Sequence, residues 1–114
     1  MSTVSAIGAR LKTAPLEFVK IERRAVGPED VEIEITHCGI CHSDLHFVRG
    51  EWGETNSPAV PGHEIVGRVR AVGAKVTRHK VGDIVGVGCM VDSCRHCDAC
   101  EEGVEQFCTS QIGT

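Results

Sequence analysis

No stretch of this chain approaches the roughly 20 consecutive apolar residues that a membrane-spanning helix requires. Its first dozen residues, Met1 to Lys12, lack the long apolar segment of a secretory signal, so a cytoplasmic address is the default expectation. There is no excess of basic charge: the formal net charge is −4, which gives no field for nucleic acid or an anionic membrane surface. Repeats, linkers and low-complexity stretches are missing, and so is any G-x-G-x-x-G run opening a helix after a strand. Gly86-Val87-Gly88 is only a fragment of that pattern and precedes no helical stretch. What remains is the ordinary material of one soluble domain, 41% hydrophobic and 25% charged over 114 residues.

Two residue types are abundant. Thirteen glycines suit turns and close backbone approaches better than long helices. Seven cysteines, four of them between Cys94 and Cys108, favour metal binding over disulfides when no secretion signal is present. Cys38 and Cys89 lie in apolar sequence and read as buried structural thiols.

Val31-Glu32-Ile33-Glu34-Ile35 alternates as a half-buried strand. Phe18 to Glu22 alternates more loosely and is expected to pair with it across the turn Gly27-Pro28-Glu29-Asp30. His63 to Val72 is apolar and β-branched, with Gly67 marking a bulge or a close approach. Turns at 73–75 and 80–83 precede a strand expected from Ile84 to Val91. Helix signals are short: one expected to run from a Ser43 cap to about Val48, another over Asp98 to Glu102. Many short strands and no strand–helix–strand alternation predict a mainly β architecture, barrel or sandwich.

Cys94-x-x-Cys97-x-x-Cys100, then seven residues and Cys108, is the strongest local pattern. Four thiolates around one ion form a closed, structural zinc site. Two-residue gaps let the chain curl so that successive sulfurs face one centre, and Gly103 helps return Cys108 to it. An iron–sulfur cluster and a redox-active thiol set are the rivals, but the ferredoxin run has a shorter last gap and a proline after the final cysteine, where Thr109 stands here.

A second constellation packs Cys41, His42, Ser43, Asp44 and His46 into six positions, with Gly62-His63-Glu64 about twenty residues later. Thiol, imidazole and carboxylate are the ligand types of a catalytic zinc, which keeps one position open. Cys41 and His63 are the first two candidates. Ser43 and His46 suit proton transfer to solvent, and Asp44 suits a partner that fixes the ring of His63. Taken singly, His42 reads equally well as a surface histidine, Asp44 as a helix cap and Glu64 as a solvated charge. His37, His79 and His96 read as surface or structural.

At these residues the sequence resembles a known family. Gly62-His63-Glu64-Ile65-Val66-Gly67, followed by Gly73 and Val76, resembles the signature of zinc-containing alcohol dehydrogenases of the medium-chain dehydrogenase/reductase superfamily. Cys38 to His46, Trp52-Gly53 and Val85 to Gly88 are similar to its cinnamyl alcohol dehydrogenase branch and bacterial relatives. The resemblance implies a GroES-like, partly open β-barrel, here incomplete, with a four-cysteine zinc lobe over residues 89–112. It implies two zinc sites: Cys94, Cys97, Cys100 and Cys108 for a structural ion, and Cys41 and His63 for a catalytic one, with Glu64 as the acidic neighbour able to approach it. Ser43 and His46 match a proton relay, Asp44 the carboxylate behind the ligand histidine, His42 a position near the cofactor pyrophosphate, and Trp52 a substrate-pocket wall.

The family's further cysteine ligand and its Rossmann domain for NAD(P) have no counterpart in residues 1–114, which correspond to the front of a family member. Glu64 is the first candidate to replace the missing ligand, ahead of Cys38 and Cys89. The implied activity is reversible oxidation of primary alcohols to aldehydes, with NADP favoured over NAD, in a homo-oligomeric parent, and with no activity expected of the chain alone. The alternative is a non-catalytic zinc-binding or interaction module. Exposed apolar surface is expected in either case.

Overall fold

The computed structural model describes residues 1–114. Seven strands and two short helices follow the chain: β1 (Ser2–Gly8), β2 (Glu17–Arg23), β3 (Val31–Gly39), α1 (His42–Val48), β4 (Glu64–Val72), β5 (Ile84–Val87), β6 (Met90–Asp92), α2 (Asp98–Glu101) and β7 (Ile112–Gly113), with a 3-10 turn at Glu105–Phe107. The mainly β expectation holds. The strands form three small antiparallel sheets, β1-β2, β3-β4-β5 and β6-β7, which do not close into a barrel.

β2 does not pair with β3. It pairs with β1, from Ser2↔Arg23 to Gly8↔Glu17. Most residues of β1 are small or polar, and its Val4 and Ile7 are exposed, so their alternation carries little signal. The Gly27–Asp30 turn is present, but it aims β3 rather than closing a hairpin. The Asp30 carboxylate accepts the Gly27 N–H at 2.7 Å and pairs with Arg24, and these contacts, that of Arg24 first, hold its pKa down at about 2. The strand expected over Ile84 to Val91 is broken at Gly88-Cys89 into β5 and β6, which belong to different sheets.

β3 pairs with β4 from Val31↔Val72 to Gly39↔Glu64, with register shifts at Glu32/Ile33 and Ile35/His37. Gly67 sits inside this pair as a close-approach glycine: a Cβ there would lie 2.4 Å from the Glu34 carbonyl oxygen. One register shift leaves Arg70 extra on β4, and the other leaves Thr36 extra on β3, next to the Ile35↔Gly67 pair.

The buried core is small, with Ala9, Val19, Ala59, Val69 and Cys108 as its apolar members. Phe18 on β2 and Ile84 on β5 are 83% and 72% exposed, and Phe107 in the 3-10 turn is 71% exposed, so apolar surface faces outward, as expected. The radius of gyration, 15.3 Å, exceeds the ~13 Å of a compact domain of this length, consistent with open sheets. No helix is long and apolar enough to cross a membrane.

Candidate metal centres

The β3–β4 register assembles the first centre. Gly39 pairs with Glu64, so Cys41, just beyond the end of β3, and His63, just before β4, meet at the same end of the sheet. Cys41 has extended backbone and is the N-cap of α1, which places Ser43 inside the helix rather than at its cap. Capping falls to Asp44, whose carboxylate accepts the Cys41 N–H at 3.0 Å. Gly62 turns the chain into His63 with φ +126°, and a Cβ there would stand 2.7 Å from the Cys38 sulfur. Only glycine meets both demands comfortably.

The side chains converge closely. Cys41 Sγ lies 3.2 Å from His63 Nε2 and 2.7 Å from Ser43 Oγ, and Ser43 Oγ lies 3.3 Å from the same imidazole nitrogen. On the other side of the ring, His63 Nδ1 faces Asp44 Oδ1 at 3.2 Å. Asp44 is buried at 7% exposure, and both of its oxygens are engaged. Hydrogen bonding from Ser43 lowers the Cys41 pKa, with His63 adding to it. Burial alone would lower that of His63, but the Cys41 and Asp44 contacts outweigh it and raise it.

Candidate donor atoms of Cys41, Asp44 and His63 all lie within 4.8 Å of one another. Asp44 is nonetheless placed to orient rather than to share an ion with Cys41, because it meets the imidazole at the opposite nitrogen. Glu64 stands exposed at the start of β4 with its carboxylate against Gly39, outside this group. Cys38 and Cys89 are exposed rather than buried, because the sheet end they flank is open.

A cavity of about 300 Å³ opens beside His63, walled in part by Ser43, Phe47, Trp52, Val60 and Cys89. Trp52 is 68% exposed and stacks on His46 with ring centroids 5.1 Å apart. His46 pairs through Nδ1 with Glu51, and the His42 ring meets it edge-on at 4.8 Å. Glu51 escaped sequence reasoning: it follows α1, outside every motif, and only the turn at 49–53 brings it back.

The second centre is built almost entirely from one loop. The sulfurs of Cys94, Cys97, Cys100 and Cys108 all lie within 4.8 Å of one another, and none is in a disulfide. Cys97 caps α2, while Arg95 at φ 67° and Gly103 at φ 78° bend the chain back. Backbone N–H groups point at the sulfurs: Cys97 to Cys94 at 3.2 Å, Cys94 to Cys108 at 3.4 Å and Ser110 to Cys108 at 3.3 Å. The His96 N–H leads in lowering the Cys94 thiol to about 6. The Cys100 N–H acts to lower Cys97, but the neighbouring sulfurs outweigh it and push it up to about 12. Crowded sulfurs resist common ionisation unless a cation joins them. Arg95 pairs with Glu29 at 3.3 Å, tying the lobe to the turn before β3.

Both donor sets fit zinc. Bonds of 2.3 Å at tetrahedral angles put sulfurs about 3.8 Å apart; Cys94 and Cys100 are separated by 3.9 Å. A sulfur and an imidazole nitrogen on one such ion stand about 3.6 Å apart, against 3.2 Å for Cys41 and His63.

Comparison with known proteins agrees with this picture. The family model described as alcohol dehydrogenase GroES-like domain matches residues 27–114. The chain is 60% identical over 116 residues to NADP-dependent alcohol dehydrogenase C 1 of Mycolicibacterium smegmatis, covering 100% of this chain and 33% of that protein. A cinnamyl alcohol dehydrogenase structure from Sorghum bicolor superposes with a TM-score of 0.93 at 45% identity, over 99% of this chain and 32% of that one. The cobalt- and zinc-bound thermostable alcohol dehydrogenase of Pyrobaculum aerophilum superposes at 0.82 with 29% identity, over 98% of this chain and 35% of that one. The class is therefore a GroES-like β domain with a cysteine cluster compatible with zinc. More narrowly, the chain belongs to the alcohol dehydrogenase GroES-like domain family. It spans about a third of the length of the relatives it matches.

Proposed function

We propose that residues 1–114 are the zinc-carrying front of the catalytic domain of an NADP-dependent alcohol dehydrogenase that interconverts primary alcohols and aldehydes. The observation that carries this reading is the approach of Cys41 Sγ to His63 Nε2 at 3.2 Å with Asp44 behind the ring. The relatives named as NADP-dependent alcohol dehydrogenase and cinnamyl alcohol dehydrogenase support the substrate class and the cofactor.

Cys41 and His63 would hold a catalytic zinc; Cys94, Cys97, Cys100 and Cys108 would hold a structural one in the lobe over residues 89–112. When bound, the catalytic ion supplies Lewis acidity toward an alcohol or carbonyl oxygen. The protein's own groups do the rest. Asp44 fixes the His63 tautomer so that Nε2 keeps its lone pair for coordination. The Ser43 hydroxyl, beside both candidate ligands, would take up the proton released by the substrate as it passes its own proton onward. His46, one turn further along α1, exchanges that proton with water. Trp52 and Phe47 line the side of the cavity where an apolar substrate would lie. His42, exposed at the start of α1, is suited to a cofactor phosphate.

No strand–helix–strand unit for a nicotinamide dinucleotide occurs within residues 1–114. The 114-residue chain alone is therefore proposed to be inactive, because hydride transfer needs the nicotinamide held against the substrate carbon. A cytoplasmic, homo-oligomeric parent completes the reading. Turnover assays on the pure chain and on a full-length parent, with NADP and a primary alcohol, test it. Activity is expected only in the parent; a turning-over 114-residue chain would overturn the division of labour.

A further inference from the structure

The exposed face of α1 carries a pair of imidazoles that the dehydrogenase reading uses only for protons and phosphate. His42 and His46 are four residues apart, so they share one face of the helix. Their ring centroids stand 4.8 Å apart, edge to face. His42 is exposed and the His46 side chain is 34% exposed, so both are open to solvent.

The neighbours of His46 prepare it as a ligand. Glu51 engages Nδ1, which assigns the proton to that nitrogen and leaves Nε2 with a lone pair. A carboxylate behind an imidazole is the arrangement that fixes tautomer and raises ligand basicity at metal sites. Trp52 stacks on the same ring at 5.1 Å and 28°, limiting its rotation. An oriented imidazole next to an exposed one, at helical spacing, offers two nitrogens to one ion. Imidazole pairs of this kind suit nickel, copper and zinc, and do not suit magnesium or calcium.

We propose that His42 and His46 form an additional surface site for a borderline divalent transition-metal ion, separate from the Cys41–His63 centre, with Glu51 and Trp52 as positioning residues. Occupation withdraws His46 from proton exchange, so on the dehydrogenase reading the site inhibits. The binding claim itself stands on the α1 geometry and not on that reading.

Trp52 is the only tryptophan and lies against the site, which makes its fluorescence a direct reporter. The experiment titrates nickel(II) into the 114-residue chain after loading with zinc and removing the excess. Saturable quenching of Trp52 is expected. Removing either ligand, in His42→Ala or His46→Ala, should weaken the half-saturating concentration by at least the roughly tenfold that loss of an outer partner costs. Glu51→Gln should weaken it by about tenfold. His37→Ala and Cys41→Ala should leave it unchanged, and unaltered lobe zinc content checks the fold of each variant. Absence of saturable quenching, or quenching indifferent to His42→Ala, overturns the proposal. Quenching abolished by Cys41→Ala also overturns it, by assigning the nickel to the other centre.

Discussion

The two donor clusters differ in how the chain builds them. The lobe from Cys94 to Cys108 draws all four sulfurs from fifteen consecutive positions, and its order comes from turns and N–H···S contacts. The Cys41–His63 centre joins two segments 22 residues apart, and it exists only because Gly39 pairs with Glu64. The first cluster has little apolar material of its own, so a bound ion would have to supply much of its order. The second rests on a β-sheet and a helix capped through Asp44. Metal should therefore be structural in the lobe and removable at the sheet end.

The largest expected effect lies in the lobe. Cys97→Ser leaves three sulfurs, and zinc-finger-like sites draw on the order of 10 kcal/mol from binding. Elemental analysis should show one zinc per chain lost, with loosened backbone from about Cys94 to Cys108. Unchanged zinc content would break the four-cysteine assignment. Cys41→Ala should remove a different zinc while leaving the lobe's ion and the secondary structure intact. If this variant instead unfolds the sheet by circular dichroism, the contrast between the two clusters disappears.

Ser43→Ala in a full-length parent sharpens the chemistry of the sheet-end centre. Loss of a group that transfers a proton costs about 10²-fold or more in turnover, with cofactor affinity unchanged. An unaffected rate would remove Ser43 from the proton path. Asp44→Asn is the smallest perturbation. It keeps the shape but loses the charge behind His63, so zinc affinity at that centre should fall by about 10- to 100-fold. A competition titration with a chelator measures this, and equal affinity would make Asp44 a helix cap only.

The same contrast explains what the sequence disclosed. The C-x-x-C-x-x-C spacing is a local signal, so the lobe was legible without any fold. Cys41 and His63 were legible as ligand types, but their meeting required the register of β3 against β4. Glu64, adjacent to His63, was a natural third candidate. The start of β4 leaves Glu64 exposed against Gly39, while Asp44, the expected partner of the His63 ring, is buried where it caps α1. Cys38 and Cys89 looked buried from their apolar neighbours, yet those neighbours lie on open sheet faces. The pairing of β2 with β1 was hidden because β1, Ser-Thr-Val-Ser-Ala-Ile-Gly, buries little and alternates weakly.

Native mass spectrometry of the chain, purified without chelator and supplemented with zinc, weighs both clusters at once. Two zinc ions per chain are predicted, one resisting dialysis against a mild chelator and lost in Cys97→Ser, the other leaving readily and absent in Cys41→Ala. A chain that takes up no zinc, or that carries iron and labile sulfide in the lobe instead, would contradict the account.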